Sequence, residues 1–255
     1  MPYHRRRAGS PRYKDHYSYR IYADPEVAKT FDAERFGGKI GELIRETQEK
    51  AVFTTLPSVK GWKVIDVGAG TGRFAIPFLE AGAAVTACDA SAEMLRVLQQ
   101  KRGDTHLHVQ VVDAHKLPFA EQTFDCAVAF RILLHVMDWE KALSELCRVS
   151  RDWIVFDMPP RHGFLLLAPI WHGIHGLFSA NTQAYRTFRV SEVEKHLRNC
   201  SFEIVSFDAG FFLPLAIHRV IQSAQFTRMT EKFFGRIGLT RIAGSPYTVF
   251  ARRCK

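Results

Sequence analysis

Val64-Ile-Asp-Val-Gly68-Ala-Gly70-Thr-Gly72-Arg73 decides how the rest of this chain is read. A short β-branched run meets three glycines at alternate positions, and an amphipathic segment follows. The spacing predicts a strand that ends in a tight turn, with a helix opening at Gly72. Glycine accepts positive φ and carries no Cβ, so a ligand can approach the backbone there. Two better-known turns are excluded. A GxGxxG fingerprint needs glycine where Arg73 stands, and a P-loop needs Gly-Lys-Ser/Thr, which is absent.

Working outward, short apolar runs alternate with amphipathic ones. Strands are expected at Lys63 to Val67, Ala84 to Asp89, His106 to Val112, Phe124 to Phe130 and Trp153 to Asp157, with helices at Ala92 to Lys101 and Trp139 to Val149. That order predicts a doubly wound, Rossmann-like α/β sheet. Ser191 is a plausible N-cap for a later helix through Leu197, followed by strands at Phe202 to Phe207 and Tyr247 to Ala251. Residues 1–59 read as an N-terminal arm with two helices, Pro25 to Arg35 and Lys39 to Lys50. Residues 60–255 read as one ligand-binding domain, with cap insertions at about 159–189 and 211–244, the second holding one or two helices.

Strand ends carry acids. Asp89 closes Ala87-Cys-Asp89 about twenty residues past Gly68, where its two oxygens suit the vicinal hydroxyls of a ribose. Asp113, after the third strand, is placed to accept from an exocyclic amine such as that of adenine. Three strand tips thereby converge on one nucleoside.

Apolar residues make up 47% of the 255-residue chain and charged ones 24%, enough for one sizeable core. The formal charge of +9 is concentrated near the ends and suits an anionic partner, whether nucleic acid, lipid surface or acidic substrate. Five widely spaced cysteines without a CxxC pair point to a reduced, cytoplasmic protein and no metal site. No apolar h-region follows the basic N-terminus, so a secretory signal is not expected. Gly163 to Tyr185 carries no Asp, Glu, Lys or Arg, yet Pro169, Gly173 and Gly176 break it, which argues against a membrane span. The basic, apolar stretch from Phe211 to Arg241 is instead a candidate for peripheral contact with an anionic membrane.

Four motifs, VIDVGAGTGR at 64–73, ACDASAEML at 87–95, VVDAHKLPF at 111–119 and FDCAVAFRILLHVMDWEKALSELCRV at 124–149, resemble the class I S-adenosylmethionine-dependent methyltransferases. The chain is most similar to their small-molecule branch, the ubiquinone and menaquinone methyltransferases. The resemblance implies a sheet of about seven strands with the last antiparallel, and S-adenosylmethionine as cofactor. It also implies that Asp66 and the backbone of Gly68 and Gly70 hold the methionine end, Asp89 the ribose and Asp113 the adenine amine. Met94 and Ala90 would pack on the adenine, Phe130 and Arg131 would line the sulfonium side, and Ala69, Gly72 and Ala114 complete the set. The chain departs from the family where many relatives carry a His pair and this one has Leu134-His135, and in lacking a Pro-Gly-Gly turn at Val149 to Asp152.

Methyl transfer needs mainly a positioned acceptor, since the sulfonium is already an activated leaving group. A small or lipid-like acceptor, methylated at oxygen or carbon, fits the Phe- and Leu-rich insertions. His135 is the candidate general base. Tyr19 and Tyr22, from an aromatic arm that continues in Phe31 and Phe36, are candidates for a lid and acceptor contact, and Trp171, His172 and His175 are candidates to line the acceptor pocket. Two other readings stay open: an RNA or protein methyltransferase that uses the basic arms, and a regulatory protein that binds the cofactor without turnover.

Overall fold

The computed structural model describes residues 21–103, 106–161, 186–213 and 215–254. Two helices lead: α1 (Pro25–Phe36), capped by Asp24 accepting from the Glu26 amide at 2.9 Å, and α2 (Gly38–Thr55). Then come β1 (Lys63–Val67), α3 (Ala75–Glu80), β2 (Ala84–Asp89), α4 (Ala92–Lys101), β3 (Leu107–Val111), β4 (Phe124–Ala129), α5 (Trp139–Val149) and β5 (Ser150–Met158). The chain continues through α6 (Val190–Asn199), β6 (Phe202–Phe211), α7 (Leu215–Ile221), α8 (Ala224–Arg236), α9 (Leu239–Ala243) and β7 (Ser245–Arg253).

The strands form one seven-stranded sheet in the order β3-β2-β1-β4-β5-β7-β6. β1 to β5 pair in parallel, and β7 runs antiparallel to both of its neighbours. The winding reverses between β1 and β4. Crevices at such a reversal open at the carboxyl ends of the strands, which is where the glycine turn lies.

Side chains alternate between two apolar layers, as strand pleating requires. Ile65, Ala127, Ile154 and Phe156 face the layer built with Leu143 and Leu146 of α5 and Val193 and Leu197 of α6. Val64, Val128 and Val155 face the opposite layer, with Phe78 of α3, Leu95 and Leu98 of α4, and Val52 of α2. Both faces of the sheet are therefore covered. Ile40 and Ile44 of α2 pack on Phe211 at the end of β6.

Besides longer α2, β6 and β7, which extend to Thr55, to Phe211 and over Ser245–Arg253, the structure differs from the sequence expectation in four places. The helix expected from Gly72 starts at Ala75, because Gly72 holds φ +94° and the turn runs on past it. Ser191 lies inside α6, whose N-cap is Arg189 without a side-chain capping bond. β5 begins three residues early, since Ser150 pairs with Phe124 of β4 ahead of a register shift. The region between β6 and β7 holds three helices rather than one or two. No helix among the described residues is long and apolar enough to cross a membrane.

Candidate active site

The turn after β1 is built by backbone geometry. Gly68, Gly70 and Gly72 all have positive φ, a region that L side chains rarely enter. A Cβ on Gly68 would meet Ile132 at 2.8 Å, and one on Gly72 would meet Leu98 at 2.3 Å. Gly70 differs: its nearest neighbour would be the Met94 methyl at 3.6 Å, so the space over it is open. Amides of Gly68 and Ala69 donate to the Cys88 carbonyl at 2.7 and 2.9 Å, locking the turn to the tip of β2.

Carboxylates surround this turn. Asp89 accepts from the Gly70 amide on one oxygen and from the Ser91 amide on the other, both at 2.9 Å. Burial raises its pKa, against those amides and that of Ala90. Asp66, 2% exposed, lies beneath the turn with its Oδ2 lacking any partner among the described residues. Burial pushes its pKa up to about 7; the Ala75 amide opposes the rise and the Asp89 charge adds to it. An orphaned buried carboxylate oxygen is costly unless a donor arrives, so Asp66 fits a cationic ligand group. Asp113 sits at the margin: its Oδ1 takes the His115 amide at 2.9 Å and the His115 ring at 2.6 Å, while its neighbours Val112 and Ala114 line the cavity.

Across the crevice, the tip of β4 supplies Phe130, which stacks on Phe74 with ring centroids 3.6 Å apart. Arg131 adopts φ +59°, and its amide donates to Oδ1 of Asp157 at the end of β5. Asp157 is buried, and burial raises its pKa despite the charge and amide of Arg131 and the charge of Arg73. Burial likewise lowers Arg73, to about 10. Arg73 nonetheless bonds Gln48 of α2 and stacks 4.2 Å over the Phe36 ring, which ties the glycine turn to the N-terminal helices.

Those helices roof the cavity. Tyr22, Phe31 and Phe36 line it opposite the strand tips. Ser91 Oγ donates to the Tyr22 carbonyl at 2.5 Å, and Asp32 of α1 accepts from Thr71 Oγ1 at 2.5 Å and from Lys101 of α4. A roof fastened at both ends can keep water from the interior.

One cavity therefore gathers Gly68, Ala69, Gly70, Asp89, Ala90, Met94, Ala114, Phe130, Arg131, His135 and Tyr22 from the expected set. His135 is nearly buried in its wall, its amide donating to the Ile132 carbonyl. Asp66, Gly72 and Asp113 do not line it. Tyr19, Trp171, His172 and His175 fall outside the described residues. Sequence reasoning passed over Arg73, Asp157 and the Asp32 clasp. Asp157 did carry a signal, being an acid at a strand's carboxyl end like Asp89.

Residues 65–152 match the family model for a methyltransferase domain. A demethylmenaquinone methyltransferase from Clavibacter sepedonicus is 33% identical over 173 residues, covering 63% of this chain and 69% of that protein. One from Thermobifida fusca is 40% identical over 137 residues, covering 50% of this chain and 58% of that protein. Measured against the first curated relatives it matches, the chain spans about half their length. Among solved structures, a magnesium protoporphyrin IX methyltransferase from Synechocystis with bound SAH superposes with a TM-score of 0.60 at 18% identity, covering 92% of each chain. That likeness is one of fold.

Proposed function

This chain belongs to the class I S-adenosylmethionine-dependent methyltransferases, and from that premise we propose that it methylates a small or lipid-like acceptor at oxygen or carbon. S-adenosylmethionine is the cofactor, and when bound it supplies a methyl group on a sulfonium leaving group. The observation that carries the reading is the open space over Gly70 beside the half-buried Asp89, with the buried Asp66 on the strand that leads into the turn and an aromatic roof opposite.

Asp89 would accept the ribose hydroxyls on lone pairs left beside its bonds to the backbone amides. Asp66 would answer the ammonium of the amino-acid tail, shedding its proton as that charge arrives. Met94 and Ala90 would flank the adenine, with Asp113 at its amine and Ala114 beside it, while Ala69 and Gly72 shape the turn. Phe130 and Arg131 would border the reacting side. Tyr22, Phe31 and Phe36 would exclude water, which strengthens the electrostatics within. His135 would draw the proton from an acidic hydroxyl or carbon of the acceptor, a task that suits an imidazole near neutral pH.

Demethylmenaquinone, which gives several relatives their name, is the first acceptor to try, in its reduced quinol form. The five thiols are all free, which fits a reducing cytoplasm. Labelled S-adenosylmethionine incubated with the protein and a demethylated quinol, and separately with fractionated cell extract, should yield a labelled organic-soluble product. Label found only in RNA or protein would overturn the acceptor class. Cofactor binding without turnover on any fraction would overturn the enzymatic reading itself.

A further inference from the structure

The cap between β6 and β7 has a finished inner face. On that side His218 of α7, wholly buried, contacts Glu231 Oε1 at 3.0 Å and Thr227 Oγ1 at 2.9 Å. Glu231 also accepts from the amides of Phe212 and Leu213 at 2.7 and 3.1 Å, and the Phe234 ring lies 4.2 Å from that of Phe212.

Its outer face repeats one pair of residues. Arg228-Met229, Lys232-Phe233 and Arg236-Ile237 recur every four positions, and Arg241-Ile242 follows in α9. Four residues turn a helix by about 400°, so each pair drifts only about 40° from the last and all three stay on one side. The apolar members are left in solvent: Met229 is 64% exposed, Phe233 57%, Ile237 53% and Ile242 59%. Every cation beside them is exposed as well. The one acid between Ser223 and Gly244, Glu231, is turned inward.

We propose that this outer face of α8 and α9 docks on the surface of an anionic lipid bilayer. A helix lying in that interface sinks its apolar side chains to the acyl boundary while neighbouring cations reach lipid phosphates, and the repeat supplies each apolar group with its own cation. Large apolar side chains left exposed along one side of a helix have no role against solvent alone. A nucleic acid would use the cations and at most Phe233 for stacking, leaving Met229, Ile237 and Ile242 unexplained. The inference does not depend on the methyl acceptor. It does connect to the cavity, since Arg219 of α7 donates to the Arg35 carbonyl at 2.9 Å, near the end of the helix that carries Phe31 and Phe36 into it.

Vesicle flotation of the full chain tests this. The protein should float with vesicles of phosphatidylcholine containing roughly a third phosphatidylglycerol and stay down with phosphatidylcholine alone. Met229→Ser/Phe233→Ser/Ile237→Ser and Arg228→Gln/Lys232→Gln/Arg236→Gln should each lose about tenfold or more in vesicle affinity, while an unchanged thermal midpoint shows that both fold. Three results would overturn it: no flotation with anionic vesicles, equal flotation with neutral ones, or a serine variant that floats as well as the parent. An RNA gel shift lost only in the glutamine variant, without flotation, would assign the face to nucleic acid instead.

Discussion

The glycine turn and the helical cap solve opposite problems. At the turn, polar groups lie buried against packed neighbours, and two of the three glycines are demanded by side chains standing on them. In the cap, the polar network around Glu231 is satisfied inside while large apolar groups face water. Residues at the turn are held in place by their neighbours, whereas the outer residues of the cap are replaceable without harm to the fold.

Substitution at the turn should break that contrast most severely. Gly72→Ala places a Cβ 2.3 Å from Leu98 at φ +94° and should cost on the order of 3 kcal/mol in urea unfolding; a loss within about 0.5 kcal/mol would show that the turn relaxes freely. Asp89→Ala should weaken adenosylmethionine binding by about 10- to 100-fold in titration calorimetry, since it deletes charge-assisted acceptors. In the cap, His218→Ala removes the ring joining Glu231 to Thr227 and should destabilise by about 2 kcal/mol, close to the turn in kind if not in size.

The next test uses pH. Asp66 holds its proton up to about 7 in the folded protein, whereas the unfolded chain releases it near 3.8. The folded state then binds more protons across that window, so the ligand-free protein should lose stability as pH rises from about 4 to about 7. Asp66→Asn should flatten that decline. Cofactor affinity should rise across the upper part of the window, by about tenfold, in the parent and not in the variant. The smallest effect belongs to Phe233→Ser, whose stability should stay within about 0.5 kcal/mol of the parent.

Local chemistry explains how much could be read beforehand. α4 and α5 begin and end where expected, because Ser91 and Asp138 cap them and their apolar periodicity is clean. The glycine turn was legible because three positive-φ positions, two of them pressed by side chains, require glycine. Asp157 was missed because its place depends on β5 lying beside β4, so that it meets the amide of Arg131, 26 residues away in sequence. Arg73 was read only as a spacing exclusion. Its burial depends on Gln48 and Phe36 arriving from separate helices. The stretch holding α8 was legible as basic and apolar, but the side it would turn outward was not, since a periodic pattern does not say which face a neighbour will cover.

The position of β7 carries a consequence for biosynthesis. It fills the slot between β5 and β6, although about 86 residues separate it from the end of β5. At ribosomal rates of about 5–20 residues per second, the flank of β5 stays unpaired for roughly 4–17 seconds on the nascent chain. Throughout that interval an apolar strand presents open backbone groups, a template for stray pairing until its proper neighbour emerges.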